Sequence, residues 1–245
     1  MKNVCYVYRL GQVDYEAAWD LQDRLARAIA IGDQPPTLLR LEHPHTYTFG
    51  RRGKIENLLW DNGERQRRGV SVHWVDRGGD VTYHGPGQLV GYPLLPLGSP
   101  GSFVDPASNA ARLPQADFVG YLRRLENVLI VALDSLGVAS FQSPGLTGVW
   151  VQSPGVVAQS LPAKIAAIGV KIDARGISRH GFALNVNPDM AYWDGIIGCG
   201  LTGYSVASLA DFLDPLPAME QVIQAVSVAF GKEFGYEIIF QQSAT

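Results

Sequence analysis

Cys199 lies between glycines in Gly195-Ile196-Ile197-Gly198-Cys199-Gly200-Leu201-Thr202-Gly203, a setting that leaves a thiol poorly screened and open to approach. It stands shortly before a helix expected over Ser205 to Leu213, whose first N–H groups and dipole would favour a thiolate. Lys164 opens the apolar run Lys164-Ile165-Ala166-Ala167-Ile168-Gly169-Val170, where desolvation would depress its pKa and make it a proton acceptor. A nucleophile and a base of these types suit covalent catalysis. The blander alternatives stay open: an inert buried thiol, and a strand-end lysine whose ammonium reaches water. Cys5, mid-strand between Val4 and Tyr6, reads as structural, and Lys171, in an alternating context, as solvated.

The run Arg77-Gly78-Gly79-Asp80-Val81-Thr82-Tyr83-His84-Gly85-Pro86-Gly87-Gln88 is a third candidate. Its glycines and proline read as a shaped loop rather than a strand. Glycine admits positive φ and close approach of backbone N–H groups to a ligand, and Arg77, Thr82, Tyr83 and His84 add polar side chains. A glycine-rich hairpin connection is the alternative. His43 and His45 flank Pro44 and would share one side of an extended chain, but no further ligands stand at metal-binding spacing, so no metal site is expected. His84 and His180, each followed by glycine, are more suggestive. Arg51-Arg52-Gly53-Lys54 and Arg65-Gln66-Arg67-Arg68 read as solvated turns that could meet an acidic partner.

The elements that must carry these residues are mixed. Strands are expected over Val4 to Arg9, Thr37 to Glu42, Thr46 to Phe49, Val70 to Asp76, Leu89 to Leu95, Thr147 to Gln152, Ala163 to Ile172 and Gly181 to Val186. Asp14 can cap a helix whose Ala18, Leu21, Leu25, Ala28 and Ile29 share a face. Phe118 to Leu136 carries the stripe Phe118, Leu122, Leu125, Leu129, Ala132 and Leu136 and stops at Gly137, and Ala218 to Phe234 reads as another helix. Strands outnumber helices, which argues against a regular βα wind and for an α+β fold, a mixed β-sheet backed by helices. Residues 1–245 read as a single domain, with 98–114, rich in Gly, Pro, Ser and Ala, as an exposed loop insertion.

Composition narrows the function classes. A hydrophobic fraction of 47% describes a soluble globular chain with a substantial core. A net charge of −3 argues against nucleic acid as the main partner. No apolar run is long enough to span a membrane, and the start of the chain has no signal-peptide layout. Two cysteines cannot make a disulfide scaffold, so a cytoplasmic enzyme is expected.

From Arg77 to Pro93 the chain resembles the signature of the octanoyltransferases of lipoate biosynthesis, the lipoate/octanoate transferase family. Leu41-Glu42-His43-Pro44-His45-Thr46-Tyr47-Thr48-Phe49-Gly50-Arg51 is similar to that family's early segment, Lys164 to Val170 to its lysine motif, His180-Gly181-Phe182-Ala183-Leu184-Asn185-Val186 to the following strand, and Cys199-Gly200 with Ser205 to Leu209 to its cysteine motif. Two departures stand out: Gly198 takes the place of a proline, and the 98–114 insertion is long.

The resemblance implies the fold of the biotin and lipoate protein ligase catalytic domain. It also implies transfer of octanoate from octanoyl-acyl carrier protein to a lysine of lipoyl domains, those of 2-oxoacid dehydrogenase complexes and of the glycine cleavage H protein. Cys199 and Lys164 would be catalytic. Arg77, Gly78, Gly79, Asp80, Val81, Thr82, Tyr83, His84, Ala167, Ile168, Gly169, Gly181, Phe182 and Ala183 would hold the acyl chain, with no cofactor or metal. The alternatives are an ATP-dependent lipoate–protein ligase, against which no phosphate loop of Walker type is present, and a non-catalytic module that binds lipoylated domains or an acyl chain.

Overall fold

The computed structural model describes residues 3–98, 117–152, 161–201 and 203–241. Apart from Gly98, the expected insertion lies outside them. In chain order the elements are β1 (Val4–Gln12), α1 (Tyr15–Ile31), β2 (Thr37–Glu42), β3 (Thr46–Phe49), α2 (Asn62–Arg67), β4 (Ser71–Trp74), β5 (Val81–His84), β6 (Gln88–Leu94), α3 (Phe118–Ser135), β7 (Phe141–Ser143), β8 (Leu146–Val151), β9 (Ala163–Ile172), β10 (Ser178–Asn185), α4 (Met219–Phe234) and β11 (Glu237–Gln241). Among the described residues the strands form a mixed sheet in the order β11-β1-β2-β6-β10-β9-β8-β7, and a smaller sheet β4-β3-β5.

Strand alternation assigns side chains to two apolar layers. Leu38, Leu89, Phe182 and Leu184 meet α3 and α4 through Leu125, Leu129, Val226 and Phe230. Leu39, Val90 and Ala183 point the other way, onto Ala18, Leu25 and Ile29 of α1. Burial on both faces explains why β6 reads as an almost unbroken apolar run. The small sheet packs Tyr47, Phe49, Val81 and Tyr83 against Tyr192 and Ile196, which lie beside the cysteine segment.

Several features depart from the sequence reading, the unexpected strands β7 and β11 among them. Val81 to His84 is a strand paired with β3, not part of a loop. The helix expected over Ser205 to Leu213 is absent: Val206 forms a parallel bridge with Lys164, and a short 3-10 turn, Leu209–Asp211, is what remains of it. Arg65 and Arg67 lie on α2, where Glu64 pairs with Arg67 and Arg68.

A proline in the middle of the large sheet shapes the site. The β6–β10 register would set His180 opposite Pro93, which has no N–H to offer the ladder. His180 instead takes a left-handed φ of 57° and gives its N–H to Gln22 Oε1 at 2.7 Å. The Ser178 hydroxyl repairs the next step. It donates to Pro93 O at 2.7 Å and accepts from Leu95 N–H at 2.9 Å. At Gly181 a Cβ would stand 2.1 Å from Gly91 O, so glycine alone fits where the strands close again. Ser178→Ala should leave both backbone groups buried without partners and lower unfolding free energy by about 1–3 kcal/mol in urea titration; a change within error would show that this repair is dispensable.

Candidate functional site

Cys199 sits on the 3-10 turn Gly198–Gly200 with a left-handed φ of 56°, which is uncommon for a residue with a side chain. The turn is held from behind. Ile197 N–H donates to Asn57 O at 2.9 Å, and Leu59 N–H to Gly195 O at 2.8 Å. The Asn57 amide in turn donates to the Asp80 carboxylate, which also accepts from Lys54 N–H at 3.1 Å and Val81 N–H at 2.7 Å. Gly200 N–H is bonded to Ile197 O at 3.0 Å, within the turn.

Lys164 faces the thiol. Its Nζ lies 3.4 Å from Cys199 Sγ and 4.7 Å from the centre of the Trp150 ring. Its backbone is clamped to the segment beyond the cysteine: Lys164 N–H donates to Ser205 O and Ala207 N–H to Lys164 O, both at 2.9 Å. Because Val206 bridges Lys164 as extended chain, no helix N-terminus among the described residues faces Cys199; the group beside it is the Lys164 amino group.

An elongated cavity, about 460 Å³ including its open mouth, runs inward from Cys199. Arg77, Gly78, Gly79 and Asp80 line one wall, joined by Thr82 and His84 of β5. Ala167, Ile168 and Gly169 of β9 and Gly181, Phe182 and Ala183 of β10 line the other. Val81 and Tyr83, expected with this group, do not reach the cavity. Strand alternation turns them into the aromatic cluster behind it. Arg77 is buried, and its guanidinium is fully engaged with Thr48 Oγ1 at 2.9 Å, the Thr48 carbonyl and Gly78 O at 2.9 Å. It braces the loop rather than offering donors to a ligand, and desolvation lowers its pKa.

Tyr15, Tyr92 and His180 also line the cavity and were not among the expected holding residues. Tyr15 stacks on His84 with ring centres 5.9 Å apart. His180 Nε2–H donates to Asp76 Oδ1 at 2.7 Å. Burial disfavours the charge on Asp76, but bonds from His180 and Lys171 outweigh it and hold the carboxyl well below its ordinary range. Lys171 is therefore paired with Asp76 rather than freely solvated. These groups converge from chain positions far apart, so only the glycine beside His180 hinted at any of them. His43 and His45 part company: His43 bonds Val13 O and the Tyr92 hydroxyl, whereas His45 stacks on Tyr192 at 3.8 Å. Among the described residues no three His, Cys, Asp or Glu side chains converge as metal ligands would, and no helix is long and apolar enough to cross a membrane.

A broader groove, about 1370 Å³ including open solvent, reaches the Cys199–Lys164 pair from outside. Arg52, Lys54, Phe118 and Leu122 stand along it, with Arg52 and Lys54 exposed.

The family described as the lipoyl protein ligase A/B catalytic domain matches residues 14–231. The chain is 42% identical over 231 residues to an octanoyltransferase of Chloroflexus aurantiacus, covering 94% of each protein. It is 41% identical over 242 residues to that of Acidobacterium capsulatum, covering 98% of this chain and 94% of the relative. In fold it is similar to a bi-partite lipoate protein ligase from Thermoplasma acidophilum, with a TM-score of 0.69 at 17% identity over 99% of this chain and 87% of the other. A lipoate-protein ligase A bound with ATP gives a TM-score of 0.66 at 17% identity, over 99% and 89%.

The buried histidine behind the cavity sets a pH dependence. His43 Nδ1–H donates to Val13 O at 2.6 Å, its Nε2 accepts from Tyr92 at 2.8 Å, and burial pushes its pKa down to about 4. Unfolded, the ring titrates near 6.5. Above that pH both states are neutral. As pH falls from 6.5 towards 4, the unfolded chain takes a proton that the folded chain refuses, and stability is lost. His43 alone should account for about 3 kcal/mol of loss by pH 4. Urea titrations between pH 7 and pH 4 should show this loss reduced in His43→Gln; an unchanged pH slope would contradict the assignment.

Proposed function

The chain belongs to the octanoyltransferases of the lipoyl protein ligase A/B catalytic domain family, and on that premise we propose that it carries the octanoyl group from acyl carrier protein to a lipoyl-domain lysine as a thioester on Cys199. The observation that carries this reading is the 3.4 Å approach of Lys164 Nζ to Cys199 Sγ at the mouth of an inward cavity.

In the first half-reaction Lys164 takes the thiol proton. The thiolate attacks the carrier thioester, the bond from carbonyl carbon to carrier sulfur breaks, and the departing thiolate recovers the proton from Lys164. Exchange between two thiols has nearly matched leaving groups, which suits a freely reversible loading step. In the second, the acceptor lysine, as neutral amine, attacks the Cys199 thioester. The carbon–sulfur bond breaks, an amide forms, and the amine proton passes by way of Lys164 to the Cys199 thiolate, restoring the starting pair. The scheme uses no resident cofactor. Acceptors of this chemistry include lipoyl domains of 2-oxoacid dehydrogenase complexes and the glycine cleavage H protein.

The alkyl chain would lie in the inward cavity, where each buried methylene contributes about 0.8 kcal/mol, roughly fourfold in affinity. Its blind end at Tyr15, Tyr92 and His180 would limit chain length. Arg52 and Lys54 suit the rim that meets an acidic carrier protein.

Mixing the enzyme with octanoyl-acyl carrier protein should add one octanoyl mass, absent from Cys199→Ser and discharged by apo lipoyl domain. Lys164→Ala should slow loading by about 10²–10⁴-fold, the usual contribution of general acid–base catalysis. No adduct, but product from ATP and free octanoate, would establish a ligase instead. Arg52→Glu with Lys54→Glu should raise KM for the carrier about tenfold with kcat held, and added salt should narrow the gap. An unchanged KM would remove the rim from the docking surface.

A further inference from the structure

A second cavity touches the same two residues from another side. It is about 440 Å³ including its mouth, and it shares only Cys199 with the acyl cavity. Its walls are aromatic: Trp150, Trp193 and Tyr204, with the Trp150 and Tyr204 ring centres 5.3 Å apart. The cavity reaches the surface at exposed Ser205. Glycine at 198 lets the cysteine turn close on this wall, since a Cβ there would stand 3.0 Å from the Trp193 ring.

We infer that this slot admits the acceptor lysine side chain, a primary ammonium on an unbranched stem, while the carrier's thioester enters by the groove; the inference rests on the acyl-enzyme reading above. Two observations support this occupant. No carboxylate lines the slot among the described residues, so a cation inside it must be held by ring faces, and Lys164 Nζ already rests 4.7 Å from the Trp150 ring centre in that manner. Aromatic walls also suit a methylene stem, whereas a phosphate-bearing arm would find its charge partners at Arg52 and Lys54 on the other approach. An ammonium arriving there lies beside the neutral Lys164 amine of the acyl-enzyme, which can take its proton and yield the amine that must attack.

The two half-reactions separate the roles. Trp193 and Tyr204 are partly exposed, so Trp193→Leu and Tyr204→Ala put less of the fold at stake than a change at buried Trp150. Loading by octanoyl-acyl carrier protein and discharge of the isolated octanoyl-enzyme would each be followed by intact mass, with apo lipoyl domain or hydroxylamine as nucleophile. Losing a ring face should raise the half-saturating lipoyl-domain concentration about tenfold, with loading and hydroxylamine discharge shifted no more than about twofold. Trp193→Phe should restore most of the loss. Equal losses in loading and both discharges would overturn the slot, showing that the rings merely hold Lys164 and Cys199. Unaltered discharge to lipoyl domain would also overturn it, placing acceptor entry in the groove. Absence of any adduct on the unaltered enzyme would instead sink the acyl-enzyme reading, and this inference with it.

Discussion

Everything at the reactive centre depends on a two-bond clamp between distant pieces of backbone. Lys164 N–H to Ser205 O and Ala207 N–H to Lys164 O align the start of β9 with the chain just beyond Cys199. The alignment brings the lysine amino group to the thiol without help from any described helix. Backbone bonds suit this task because they are insensitive to side-chain rotamers: once the strand edge forms, the lysine has one place to go. Anchoring on the cysteine side is equally local, since the turn hangs from Asn57 and Leu59, and Asn57 is fixed by Asp80. Loop, lysine strand and cysteine turn thus meet as three separately braced parts.

The charges around the cavity obey the rule that buried ions need partners in full. The Arg77 guanidinium is wrapped by Thr48 and its own loop, and Asp76 collects His180, Lys171 and Arg179. Arg77 and His180 border the cavity with their polar atoms already engaged, and Asp76, Lys171 and Arg179 stand outside its lining. The wall itself stays short in side chain or apolar over Ala167 to Gly169 and Gly181 to Ala183, as an alkyl ligand requires. Polar residues near an apolar site can therefore be scaffolding, and in Arg77 they are.

Much of this was legible in the chain. β2, β3 and β9 begin and end where alternation and turn residues place them, and α1, α3 and α4 follow their apolar stripes within a few residues. Cys199 and Lys164 stand out along the chain because glycine flanks and an apolar context are local signals, and the fold sets them side by side. Ser205 to Leu213 misled because a helix-like pattern lost to tertiary pairing: Val206 beside Lys164 satisfies backbone groups a helix would have satisfied internally. Val81 to His84 hid inside a glycine-rich frame, and its pleat turns Thr82 and His84 inward and Val81 and Tyr83 outward. Tyr15, Tyr92 and His180 meet only through the fold, and no pattern along the chain announces that.

The break in the large sheet at Pro93 reaches further than its neighbourhood. Where the ladder breaks opposite Pro93, the His180 N–H bonds the side chain of Gln22, 158 positions earlier on α1. One end of the cavity is thus fastened to a helix on the sheet's outer face. Gln22, Pro93, Ser178 and His180 therefore act as one mechanical unit, and a change at any of them would be felt at the cavity through α1, whose first residue, Tyr15, also lines it.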